Sequence, residues 1–122
     1  MADNVFYIAI EAHVKWKIRL RKHLDGTSTE ILDPEVICKD DQCTLGHWIY
    51  GEGKQYNHLP AYENLRQTHA NFHKCAAEII RKADANEKQE AENIFSHDYV
   101  SLSRNITNTL VKMNSALRGI DK

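Results

Sequence analysis

The sequence predicts an all-α fold, a four-helix bundle in which one helix is short and carries a cysteine. Three observations predict it. Apolar residues recur at steps of three and four along most of the chain, and no stretch alternates as a half-buried strand does. Glycine, proline, aspartate and asparagine gather where those stripes stop. At 122 residues, one domain spanning 1–122 around a single core is expected.

The first helix is expected from about Asn4 to Leu24, with Phe6, Ile10, His13, Lys17, Leu20 and Leu24 on one stripe. Gly26, in Asp25-Gly26-Thr27-Ser28-Thr29, suits the left-handed residue that ends a helix. Asp33-Pro34-Glu35 then reads as a cap, a first-turn proline and an acidic first turn, so a single turn is expected near Pro34 to Cys38. A short helix follows through Cys43-Thr44-Leu45-Gly46-His47-Trp48-Ile49-Tyr50 and ends at Gly51 to Gly53. Asp40 and Asp41 are placed to cap it, and Cys43 falls in its first turn, where the helix dipole favours thiolate. Gly46 leaves bare backbone for the close approach of another helix or of a ligand group.

From Pro60 to about Ala83 a longer helix places Tyr62, Leu65, His69, Phe72, Ala76 and Ile79 on its stripe. Asp84-Ala85-Asn86 breaks it, with Asn86 and Gln89 placed as the cap and third-position partner of a last helix, Glu87 to Leu117. There Tyr99, Leu102, Ile106, Leu110, Met113, Leu117 and Ile120 form a seam for several helices or for a second subunit.

Net charge is -1 with 27% charged residues and no basic stripe, which argues against a nucleic-acid surface or a polybasic membrane patch. No apolar run reaches the roughly 18 residues of a membrane span, and Met1-Ala2-Asp3-Asn4 lacks the pattern of a signal peptide. A cytoplasmic location without direct membrane insertion is therefore expected. Cys38, Cys43 and Cys75 are odd in number, which favours thiols or ligands over structural disulfides, although Cys38 and Cys43 are near enough in sequence to pair under oxidation.

Histidine is the unusual letter, with seven in the chain. His69 and His73 stand one helical turn apart on one face, which reads as half of a metal site. His13 and Cys43 are the candidates for the other half. One thiolate and three imidazoles suit tetrahedral zinc rather than calcium or magnesium, which prefer oxygen; copper would bind the same donors strongly. Trp16 and Trp48 are expected to wall the site. His23, in the last turn of its helix, suits the dipole; His47 and His97 lack a partner at ligand spacing, and His58, just before the helix that starts at Pro60, is the nearest competitor for a ligand role among the rest. Cys75 lies about 200° round the helix from His73 and reads as packing.

The blocks His13-Val14-Lys15-Trp16, Cys43-Thr44-Leu45-Gly46-His47-Trp48 and His69-x₃-His73 resemble the chemoreceptor zinc-binding domain family, abbreviated CZB. The resemblance implies that His13, Cys43, His69 and His73 bind zinc in a helical bundle, commonly a homodimer. It implies regulation rather than enzymatic activity: control of bacterial chemoreceptor signalling helices (chemotaxis) or of diguanylate cyclase domains (cyclic-di-GMP). For some members it also implies that the cysteine, here Cys43, is a redox switch answering to zinc or hypochlorous acid. The sequence has no methyl-accepting coiled coil or cyclase domain, so an output on a partner protein or on a longer receptor is expected. Two other classes compete, a zinc-dependent hydrolase with an open coordination position and a di-iron, hemerythrin-like oxygen carrier. Neither a His-Glu-x-x-His helix nor Glu-x-x-His spacing surrounds His69 and His73.

Overall fold

A computed structural model describes the backbone of residues 2–121 and the side chains of residues 5–118. Among the described residues six α-helices follow one another: α1 (Ala2–Asp25), α2 (Pro34–Ile37), α3 (Thr44–Tyr50), α4 (Pro60–Asp84), α5 (Lys88–Ile94) and α6 (Val100–Asp121). A 3₁₀ turn (Glu52–Tyr56) follows α3, and a π-helical turn (Phe95–Tyr99) joins α5 to α6. No strand occurs among the described residues, so the all-α expectation holds.

The helix ends follow from local chemistry. Gly26 takes the left-handed conformation at φ 75°, and Thr27 N–H donates to Lys22 O at 3.0 Å, which closes α1 as a Schellman motif. At the end of α4 the same motif uses Asn86 at φ 63°, with Glu87 N–H donating to Lys82 O at 2.8 Å. Asn86 thus terminates α4 instead of capping the next helix; Glu87 precedes α5 and makes no side-chain cap bond. Asp33 caps α2 as expected, accepting from Glu35 N–H at 3.0 Å.

The long last helix expected from the seam is interrupted at 95–99. Ala91, Phe95 and Tyr99, all buried, are spaced by fours, a step that drifts about 40° per repeat round an α-helix. The wider π turn absorbs that drift and keeps the three on one inward face.

Helix α4 is the centre of the bundle, packing against each of the other five helices. Its stripe of Tyr62, Leu65, His69, Phe72, Ala76 and Ile79 is buried throughout. Leu20 and Leu24 of α1 meet it in one core with Leu45 and Ile49 of α3 and with Ile106, Leu110, Met113 and Leu117 of α6. The seam of the last helix is therefore consumed within the chain; the side chain of Ile120 lies outside the described residues. Lys17, on the expected stripe of α1, is exposed. Burial of a leucine- or phenylalanine-sized side chain contributes about 1.5–3 kcal/mol, so this core rather than any metal sets the positions of α1 and α4.

A non-glycine residue at φ 63° is strained unless it is asparagine or aspartate. Asn86→Ala is expected to lower stability by about 1 kcal/mol and Asn86→Gly to leave it unchanged or raised, as measured by urea unfolding followed by far-UV circular dichroism.

Candidate metal centre

Three side chains converge where the N-terminus of α3 meets the middle of α4. Cys43 Sγ lies 3.2 Å from His69 Nε2 and 3.6 Å from His73 Nε2, and the two nitrogens are 3.0 Å apart. A tetrahedral zinc ion with sulfur at about 2.3 Å and nitrogen at about 2.0–2.1 Å sets an S···N edge of about 3.5 Å and an N···N edge of about 3.3 Å. The three observed edges fit that triangle.

Cys43 is placed by α3 itself. It is the N-cap residue, its backbone extended at φ −97°, ψ 168°, and its sulfur accepts the Gly46 N–H at 3.4 Å. This corrects two expectations: Cys43 caps the helix instead of lying within its first turn, and Asp40 and Asp41 do not cap it. Gly46 is required by the same turn, since a Cβ there would lie 1.9 Å from the carbonyl oxygen of Asp40. The close approach expected at Gly46 is thus made by the loop leading into α3, not by another helix or a ligand group.

The imidazoles are oriented from behind. His73 donates Nδ1–H to Ile37 O, the last residue of α2, at 2.8 Å, which leaves the Nε2 lone pair facing the cysteine. His69 Nδ1 is fully buried and has no hydrogen-bond partner. His13, buried on α1, donates Nδ1–H to its own helix at Ala9 O over 2.5 Å, which leaves its Nε2 as the basic nitrogen. Its ring stands edge-on to His69 with centroids 5.8 Å apart and borders, with Cys43 and His73, a cavity of about 250 Å³. His13 is thus beside the trio but outside the group whose donor atoms lie within 4.8 Å of one another.

Burial controls the charge states. It lowers the pKa of His13 from 6.5 to about 4 and that of His69 to about 2, and it lowers that of His73 as well. The imidazoles are therefore neutral, which is the form that binds a metal. Burial also raises the pKa of the Cys43 thiol, opposed by the backbone N–H groups of Gly46 and Leu45. A divalent ion supplies the missing bias toward thiolate.

The remaining expected residues divide. Trp16 lines both cavities that reach Cys43, whereas Trp48 packs edge-on to Phe6 at 5.2 Å and stacks with Tyr56 at 6.3 Å. His23 pairs with Asp84 across 2.9 Å, and His47, His58 and His97 are exposed. All three cysteines are free thiols, so Cys38 and Cys43 are not joined. Two contributors were not foreseen, the Ile37 carbonyl and Asp40, whose carboxylate accepts the Tyr50 hydroxyl and acts electrostatically on both Cys43 and His73.

The chemoreceptor zinc-binding domain model matches residues 13–80, a span that begins at His13 and contains Cys43, His69 and His73. The chain belongs to that family. Neither a curated protein nor a solved structure matches it. CZB membership together with the Cys43, His69 and His73 cluster identifies zinc as the cofactor. The metal-capable group found among the described residues contains no carboxylate, which a di-iron bundle requires. No helix among the described residues is long and apolar enough to cross a membrane.

In the unfolded chain His13 and His69 return to a pKa of 6.5, so below that pH protons favour the unfolded state. Stability of the metal-free CZB chain is thus full above pH 6.5 and falls as the pH drops toward 4, by up to roughly 1.4 kcal/mol per pH unit for each histidine. Urea unfolding of chelator-treated protein at pH 7.5, 6 and 5 checks this; a flat profile would contradict burial of neutral imidazoles.

Proposed function

We propose that this CZB chain is a sensory, zinc-binding regulatory domain of bacterial signal transduction, without enzymatic activity of its own. In this reading His13, Cys43, His69 and His73 hold the zinc, with His13 as the fourth ligand. Its Nδ1–H is already committed to Ala9 O, which leaves Nε2 as the basic nitrogen, and His13 lines a cavity together with Cys43 and His73. A closed shell of four protein donors leaves no open position for a hydrolytic water, which favours the regulatory reading over the hydrolase.

Cys43 is the residue through which the signal enters. The single observation that carries this is its double engagement: one sulfur both caps α3 and faces the two α4 histidines. It is half-buried and lines a cleft of about 480 Å³ with Trp16, Val36, Ile37, Lys39 and His73, so a small oxidant has a route to it. When bound, zinc keeps that sulfur as thiolate at neutral pH. A Cys43 thiolate attacked by hypochlorous acid becomes sulfenic acid and releases chloride; sulfur loses two electrons and chlorine gains them. A sulfenic acid is a poorer acceptor for Gly46 N–H and a poorer ligand, so one modification loosens both α3 and the metal centre. Cys75 is the contrasting thiol, raised to about 11 by burial and by Asp98 and Glu78.

In this reading the output is a signalling helix of a chemoreceptor or a diguanylate cyclase, reached as a homodimer in the cytoplasm. The buried seam of α6 is already occupied inside the chain, so a second subunit would use other faces.

Peptide mass spectrometry after one equivalent of hypochlorous acid is expected to find Cys43 oxidised ahead of Cys38 and Cys75; the reverse order would remove the redox reading. His13→Ala is expected to weaken zinc binding by more than the about 10–100-fold typical of an outer-shell partner, read by competition with a chromophoric chelator. Unchanged affinity would remove His13 from the shell.

A further inference from the structure

The cleft of about 480 Å³ that reaches Cys43 and His73 is walled mostly by α1 and by the 31–42 segment. That segment carries four branched aliphatic side chains, of which the fold uses two. Leu32 and Ile37 are buried in the core, whereas Ile31 is 94% and Val36 52% exposed, although both line the cleft. Trp16 of α1, half-buried, adds an indole to the same lining. An open cavity of this size, lined by aliphatic and aromatic side chains with a few charges, has the make-up of a small-molecule site.

The charged side chains of the lining, Arg19, Asp33 and Lys39, decide which molecule it suits. Arg19 is already engaged: its guanidinium lies 3.9 Å over the Trp16 ring and donates to both carboxylate oxygens of Glu30. Asp33 is engaged as well, its carboxylate accepting Glu35 N–H as the cap of α2. Lys39 is exposed, and among the described residues its ammonium has no ion-pair or hydrogen-bond partner. One unmatched cation is thus left beside an apolar surface. We propose that the cleft binds an amphipathic organic anion, a carboxylate on an apolar body, with its charge on Lys39 and its body against Trp16, Ile31 and Val36. Because Cys43 and His73 line the same cleft, an occupant also covers the route by which an oxidant reaches the sulfur. That second, regulatory half rests on the redox reading above; the binding itself does not.

The test compares octanoate with octanol, which share an apolar body and differ in charge, by chemical-shift titration of the full ¹⁵N-labelled chain. A groove without a free cation would favour the alcohol, because the carboxylate gives up its water on entry. Octanoate is instead expected to bind about fivefold more tightly than octanol, the upper range of an exposed ion pair, with the shifts gathered at Trp16, Ile31, Val36 and Lys39. Lys39→Glu, at an exposed position, is expected to abolish that preference. With octanoate at about ten times its Kd, alkylation of Cys43 by iodoacetamide in chelator-treated protein is expected to slow about tenfold, since only the free fraction reacts. Cys75, which lines a different cavity, keeps its rate and serves as the internal control. Absence of an octanoate preference in the wild-type chain, or a preference that survives Lys39→Glu, would overturn the site; unchanged alkylation at that occupancy would overturn its control of Cys43. The titration is run on zinc-loaded and on chelator-treated chain, so a chain that fails to hold zinc sinks the metal reading and leaves the anion site standing.

Discussion

The centre of this protein depends on one sulfur atom that satisfies two demands at once. An α-helix leaves its first N–H groups without partners, and α3 meets part of that need with Cys43 Sγ rather than with the usual serine or aspartate oxygen. The same atom closes a triangle with the Nε2 atoms of His69 and His73. Because α3 is only seven residues long, its direction is set largely by that first turn and by the packing of Leu45 and Ile49. The state of the sulfur is therefore also a statement about where the helix sits.

Zinc in this chain completes a frame that apolar packing already builds. In a zinc finger the metal supplies the folding free energy; here Phe72, Leu65, Ile79 and Ile80 on α4 are fully buried and hold the ligand helix without it. What packing cannot do is settle the polar atoms left inside. His69 has a buried Nδ1 with no partner, and its neighbours lower its affinity for a proton still further. Buried neutral imidazoles are retained at a cost, and a metal is the means by which the two on α4 become useful together with Cys43.

Much of this was legible in the residues. Stripes at steps of three and four located α1 and α4 to within two residues, and His69-x₃-His73 with Cys43 marked the metal-capable cluster, because ligand spacing on one helix is a local property. Less legible features depended on distance. Asn86 looked like a helix start but serves as a stop, since asparagine is favourable both as a cap and at positive φ and the sequence does not distinguish the two uses. The π turn at Phe95–Tyr99 left only a run of fours, hidden in an otherwise regular seam. Asp40 read as a cap because its true partner, Tyr50, lies a whole helix away. The third histidine is legible as a type of residue but not as a position, since a stripe on α1 says which way His13 faces and not how far it reaches.

The two anchored imidazoles differ in a way that has mechanical weight. His13 leans on a carbonyl of its own helix, so its ring travels with α1 as a rigid tooth. His73 leans on Ile37, at the tip of a one-turn helix whose Val36, like Ile31 in the loop before it, stands in solvent. Pulling that tip away would strand a buried N–H at a cost of about 1–3 kcal/mol. Linkage is reciprocal, so whatever steadies the 31–38 segment must tighten the grip of His73, and whatever grips His73 must quieten the segment.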